Sequence, residues 1–227
     1  MLISRIVITI GLLVLGATTV LASTYVPFTY TIESRDRRFL FVMLSPLPIL
    51  EDAPFLDYSP SGRVPSQVDR TREVRAKYPH SGLYRNDGSS TPLWTLNQYS
   101  PYAALSSDGV HLSSLNGYVV GGLSEEGLVF YENGEEIRRY SVGDLVGSIK
   151  DLSWSFDGYG WLKGFSFDDG SNTLLLTLVN GERYSFDIKS GNIVRIERNP
   201  KKFYVAVLVG SGFLLLALTV WIIIRRF

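Results

Sequence analysis

Hydrophobic and polar positions divide the chain into three zones. Ile6 to Ala22 is almost wholly apolar behind Arg5, and Phe203 to Ile224 is an uncharged run of 22 residues between Lys201-Lys202 and Arg225-Arg226. In the middle zone the apolar residues come in short runs, several of them alternating with polar ones, which is the period of a half-buried strand. Two of these runs are folded about Asn-Gly: "GLVFYENGEEIRRYSV" at Asn133-Gly134 and "TLLLTLVNGERYSFDI" at Asn180-Gly181. Asn-Gly accepts positive φ at both turn positions, so each predicts a β-hairpin. The expected fold is mainly β, an antiparallel hairpin meander that is either partial-propeller-like or a sandwich.

A repeat is suggested by an S-x-D-G turn upstream of each hairpin, "SSDG" at 106–109 and "SFDG" at 155–158. Gly109 and Gly158 are 49 residues apart, and Gly134 and Gly181 are 47 apart. That agreement predicts a duplicated unit of about four strands, with a period in the range of propeller blades. A degenerate third copy would start at "SRDRRFLFVMLSP", residues 34–46, with Arg37 in place of the glycine. Three units are fewer than closed propellers typically use, and a meander of hairpins with shared turn chemistry fits the same text.

Residues 46–80 break the pattern. Six prolines interrupt them, and "SQVDRTREVRAKY" between Pro65 and Pro79 reads as a short polar surface helix capped by Ser66, within an insertion. A second helical turn is expected after Ser141 in "SVGDLVGS", with Asp144 in its first turn. Leu152, Trp154 and Phe156 alternate on one strand, and Trp161, Phe165 and Phe167 share a face of the next; both sets read as core.

The apolar ends set the expected address. As a helix, Phe203–Ile224 would span roughly 33 Å, enough to cross a bilayer core. Residues 1–24 read as a signal peptide, with Val20-Leu21-Ala22 before the cut, or as a retained anchor. The expected organisation is an exported domain over 25–202, a transmembrane helix over 203–224 and a cytoplasmic tail over 225–227. That places a cell-membrane protein, single-pass if the signal is cleaved and two-pass if not, with its main domain extracytoplasmic. Ala206 and Gly210 form a small-xxx-small pair through which two such helices could pack as a homodimer.

Composition narrows the function classes. Lys and Arg total 22 against 22 Asp and Glu, which gives no basic footprint for nucleic acid. With no cysteine, disulfides, thiolate metal sites and Cys nucleophiles are excluded. The absence of N-x-[ST] suits a bacterial envelope. Together with "DGVHL", "FYENGEEIRRYSVGDLV" and "LVNGERYSFDIKSGNIV", the stretch "YPHSGLYRNDGSSTPLWTL" at 78–96 resembles uncharacterised bacterial exported proteins, over most of residues 30–197. The resemblance implies export and a β-rich domain, and no activity.

Chemical motifs are few. His80 lies beside Ser81 and His111 follows Asp108, so a hydrolase built on a serine with either histidine is one reading, though no nucleophile-elbow motif accompanies it. "DDGSN" at 168–172 carries calcium-friendly oxygens without the alternating spacing of a calcium loop, and a hairpin turn accounts for it. No cofactor or metal is expected. The aromatic text "WSFDGYGW" offers Tyr159, between two glycines at an expected turn tip, and Trp161; "YRNDGSSTPLW" offers Arg85 and Trp94 beside another turn. An aromatic at a tip can stack on a sugar or anchor a protein contact. The function expected is therefore a membrane-anchored exported binding or scaffolding module for an envelope protein or glycan. The alternatives are that hydrolase and a small structural subunit of a membrane complex.

Overall fold

The computed structural model describes residues 27–46, 64–155 and 158–199. The two terminal apolar runs, Ala206 and Gly210 among them, the tail and Phe156 lie outside the described residues. Among those described, no helix is long and apolar enough to cross a membrane.

The chain lays down four-stranded antiparallel meanders one after another. The first contains β1 (Tyr30–Glu33), β2 (Phe39–Met43), β3 (Gly82–Arg85) and β4 (Pro92–Thr95), with α1 (Val64–Lys77) between β2 and β3. In the second, β5 (Tyr102–Leu105) and β6 (His111–Leu115) are followed by the short β7 (Tyr118–Val119), then by β8 (Glu126–Glu132) and β9 (Glu135–Ser141). Next come α2 (Val142–Val146), a 3-10 turn (Ile149–Asp151), β10 (Ser153–Ser155) and β11 (Gly158–Gly160). The third meander is β12 (Leu162–Asp168), β13 (Thr173–Leu178), β14 (Arg183–Asp187) and β15 (Ile193–Glu197). Strands β10, β11 and β7 pair as a small fourth sheet. The protein is mainly β and antiparallel, and no sheet closes on itself.

The three large sheets pack face to face in chain order. Phe41, Leu83 and Trp94 of the first meet Leu112, Val129 and Tyr131 of the second. On its other face the second sheet turns Leu115, Leu128 and Phe130 towards Leu174, Leu176, Tyr184 and Phe186 of the third. The middle sheet is thus buried on both sides, which is why β8 reads as the near-continuous apolar run GLVFY. The third sheet has one wet face and alternates accordingly: Leu174, Leu176 and Leu178 point in while Leu175 is exposed. Small residues Ala103, Ala104, Ser113 and Ser114 occupy β5 and β6 of the doubly buried sheet, all of them buried.

The outer face of the first sheet is covered by α1. Val74 packs with Leu40, Val42, Tyr78 and Tyr84, so the helix read from the sequence as a surface insertion caps a sheet. It begins at Val64, two residues ahead of Ser66, which is therefore inside the helix and does not cap it. The turn after Ser141 forms as expected: the Ser141 hydroxyl accepts from the Asp144 amide, and the Asp144 carboxylate takes the Ser141 amide in return.

The two Asn-Gly hairpins exist but are not equivalent. Asn133 (φ 51) and Gly134 (φ 82) form a two-residue turn between the third and fourth strands of their sheet. Asn180-Gly181 joins the second and third strands of its own, with only Gly181 (φ 84) in the left-handed region. Ser155 and Gly158, the two ends of "SFDG", pair in the small sheet, and the third meander opens only at Leu162. The spacing of 47–49 residues therefore compares unlike turns. What recurs is a tight first turn in each meander, at 34–38, 106–110 and 169–172. Each closes on a left-handed residue: Arg37 (φ 59), Gly109 (φ 73) and Asn172 (φ 53).

These first turns also fix the relative direction of the sheets. Arg38 Nη2 donates to the Ser107 carbonyl at 3.0 Å, and the Ser107 amide donates to Asp169 Oδ1 at 2.7 Å. All three first turns consequently share one end of the stack. Because strands alternate in direction, the first-to-second and third-to-fourth turns gather there, all of them short. The long connections, 44–81, 116–125 and 142–161, gather at the other end, and so do the start of β1 and the end of β15.

Candidate functional site

A groove of about 400 Å³ opens among the first strands of the three sheets, close to the short-turn end. Glu33 and Arg35 come from the end of β1, Ala103 and Ala104 from β5, and Phe165 and Asp168 from β12. Both alanines are small and buried, and Leu105 of the same strand lines the groove beside them. Arg35 is exposed, and its charge adds to what lowers the Asp168 pKa, where the larger causes are the Ser171 hydroxyl and the Gly170 amide. The rim therefore carries a cation beside three carboxylates, Glu33, Asp168 and Asp169, above an apolar wall. Such a surface can take a chain bearing both charges and apolar groups; it holds no aligned nucleophile and base.

The first-turn carboxylates are committed to the turns. Asp36 accepts from the Ser34 hydroxyl at 2.7 Å and from the Arg38 side chain, which together lower its pKa to about 2. Burial would raise Asp108, but the Val110 and His111 amides and the His111 ring hold it below the usual carboxylate range. Asp168 takes the Ser171 hydroxyl at 2.7 Å and the Gly170 amide at 3.1 Å, so "DDGSN" is the hairpin turn expected of it. Among the described residues no cluster of His, Cys, Asp and Glu could hold a metal ion.

The residues singled out from the sequence scatter. Trp161 is wholly buried, its indole N–H donating to the Asn116 carbonyl and its ring set over Gly127, where a Cβ would come within 3.1 Å of it. Trp94 is 8% exposed, its ring tilted against Phe41 and its indole N–H donating to the Gly109 carbonyl at 3.1 Å. Neither ring offers a face to a ligand. Tyr159 is not at a tip: it is the middle residue of β11, paired with Trp154 and Val119, half-buried against the core. Arg85 is exposed at the end of β3, beside a turn that Asn86 ties to the Arg37 and Arg38 carbonyls. Trp154, expected in the core, is 67% exposed on the edge strand β10.

The serine and histidines do not assemble. Ser81 Oγ accepts from the Leu44 amide at 2.9 Å and so latches β2 to β3. His80 is exposed at the long-loop end, before β3, whereas His111 Nδ1 lies 2.6 Å from Asp108 Oδ2 at the short-turn end. Among the described residues no serine is hydrogen-bonded to either imidazole. Glu33, Arg35 and Asp169 were missed by sequence reasoning. The first two turns share S-x-D at 34–36 and 106–108, but the third, at 169–172, does not, so no common motif marks the three residues.

No protein-family model matches the chain, and no curated protein matches it.

Proposed function

We propose that the chain is a membrane-anchored, extracytoplasmic binding or scaffolding module whose three sheets are blade-like units of a partial propeller. The fourth strand of each sheet passes to the first strand of the next, as blades do. The observation that carries the reading is directional. The start of β1 and the end of β15 both leave from the long-loop end, and the apolar runs are continuous with them, so the groove at the opposite end would face away from the membrane. Its mixed charge and apolar wall suit a peptide segment of an envelope protein, or a glycan with charged groups.

The test is site-specific photocrosslinking from position 35 or 169 of the full chain in intact cells. A discrete adduct is expected from these positions and a weaker one after Glu33→Lys, which reverses one rim charge. No adduct from either position, in cells where external protease digests the domain, would reject the groove as the binding site. Protection of the domain from external protease until lysis would reject the orientation.

A further inference from the structure

We infer that the long-loop end is a lipid-docking surface, which seats the domain directly on the bilayer through Trp154, Tyr118, Val120 and Ile149. The inference rests on the membrane-anchored reading above and adds to it the face that touches lipid and the residues that do so.

Three observations converge. The first is where apolar surface is exposed. Tyr118 (53%), Val120 (78%), Ile149 (48%) and Trp154 (67%) all lie in the connections 116–125 and 142–161, and Phe28 and Tyr102 are exposed at strand starts of the same end. At the other end Leu93 (45%), Ile193 (37%) and Val194 (67%) are exposed at the starts of β4 and β15, on the strands themselves, and none of the exposed large apolar side chains falls within the six short turns.

The second is the origin of the small sheet. Each large meander has its four strands without β7, β10 and β11, which are added as excursions from the β6–β8 and β9–β12 connections. The excursion buries Val119 and half-buries Tyr159, yet leaves Trp154 and Tyr118 out. Trp and Tyr with an apolar body and a polar edge are the side chains that settle at headgroup depth.

The third is reach. Asn199 is the last described residue of this end, and the uncharged run begins at Phe203. Four residue steps span no more than about 14 Å even when fully extended, against a headgroup layer about 6 Å thick on each side of the hydrocarbon. A domain tethered so closely, by the face that bears its exposed aromatics, meets lipid before it meets any soluble partner. Lys201 and Lys202 in the tether suit an anionic headgroup.

The test uses the full chain reconstituted in phosphatidylcholine vesicles, with and without phosphatidylglycerol, and with acyl chains brominated near the headgroup. Trp94 and Trp161 are buried in protein, so Trp221→Phe removes the one other indole that could meet bromine. In that background Trp154 fluorescence should be quenched by shallow bromines, and Trp154→Phe should abolish the quenching without shifting the melting temperature. Val120→Glu should reduce it and leave flotation with the vesicles intact. Flotation without quenching of Trp154 would overturn the docking surface while anchoring stands. Failure to float would overturn both. Crosslinking of position 154 to a second copy in place of lipid would replace the bilayer by a protein interface.

Discussion

The two ends of the sheet stack differ in almost every respect that matters to a protein. At the short-turn end the turns are compact, charged and bonded to one another, as in the path from Arg38 through Ser107 to Asp169. The connections at the long-loop end are extended, carry α1, α2 and the small sheet, and expose Trp154 and Val120. Both ends are built on the same strands, so the core does not impose the difference. Turns that interlock sheets have little freedom to vary, whereas loops that leave a finished meander can be elaborated at small cost to the fold. The contrast teaches that interlocked turns and elaborated connections are assigned to different ends of one scaffold.

The sharpest way to break this comparison is to truncate two tryptophans that the sequence places alike. Trp161 is wholly buried beneath the small sheet, and Trp161→Ala should cost ~3–5 kcal/mol, the range of large-to-small core changes. Trp154 stands only a hairpin away but 67% exposed, and Trp154→Ala should stay within about 0.5 kcal/mol. Chemical denaturation of the isolated 25–200 domain reads both. Equal losses would mean that the small sheet is core and that the long-loop end presents no free surface.

A smaller effect separates glycines with the same backbone need. Gly191 (φ 67) lies in a short turn where an added Cβ would approach Arg138 Cβ at 2.7 Å and the Phe130 ring at 2.9 Å. Gly147 (φ 78), after α2, would meet nothing within 4 Å. Gly147→Ala should therefore cost about 1 kcal/mol for its left-handed backbone alone, and Gly191→Ala about 2–3 kcal/mol once steric conflict is added. Equal costs would show that the short-turn end yields as readily as the other.

Much of the architecture was legible in the sequence, for physical reasons. GLVFY, TLLLTL and RYSFD announced strands about the two Asn-Gly turns, and Ser141 with Asp144 three residues on announced α2. What failed was assignment among equals. Two Asn-Gly turns look alike because two-residue and three-residue hairpin loops both use the pair, and their place in a meander depends on long-range pairing that no local text records. Likewise Trp154 and Trp161 flank one hairpin, but whether a ring is roofed depends on what the third sheet brings over it. The groove escaped because Glu33 and Arg35 lie more than 130 residues from Asp169 in the chain, and the three belong to no common motif.

The last and smallest contrast is in pH response. Asp36, Asp108 and Asp168 each close a first turn at the short-turn end with the carboxylate as acceptor, and each has a folded pKa below its ordinary value, about 2 for Asp36. A depressed folded pKa means that the charged form is bonded in the fold and not in the unfolded chain. The stability it contributes is present above the ordinary carboxylate range, near pH 4, and is lost as pH falls through the folded value. Asp36 and Asp168 are exposed, so the loss should be shallow, and it should be local. Carboxyl resonances followed by NMR should titrate below the ordinary range at all three positions, and the Arg38, Val110 and Gly170 amides should shift with them while the β13 amides stay still. Asp36→Asn should remove the acid response at Arg38 and leave that at Val110, because each turn holds its own carboxylate. Midpoints in the ordinary range would mean that these turn bonds are not formed in solution, and the short-turn end would then lose its claim to be the more tightly built of the two.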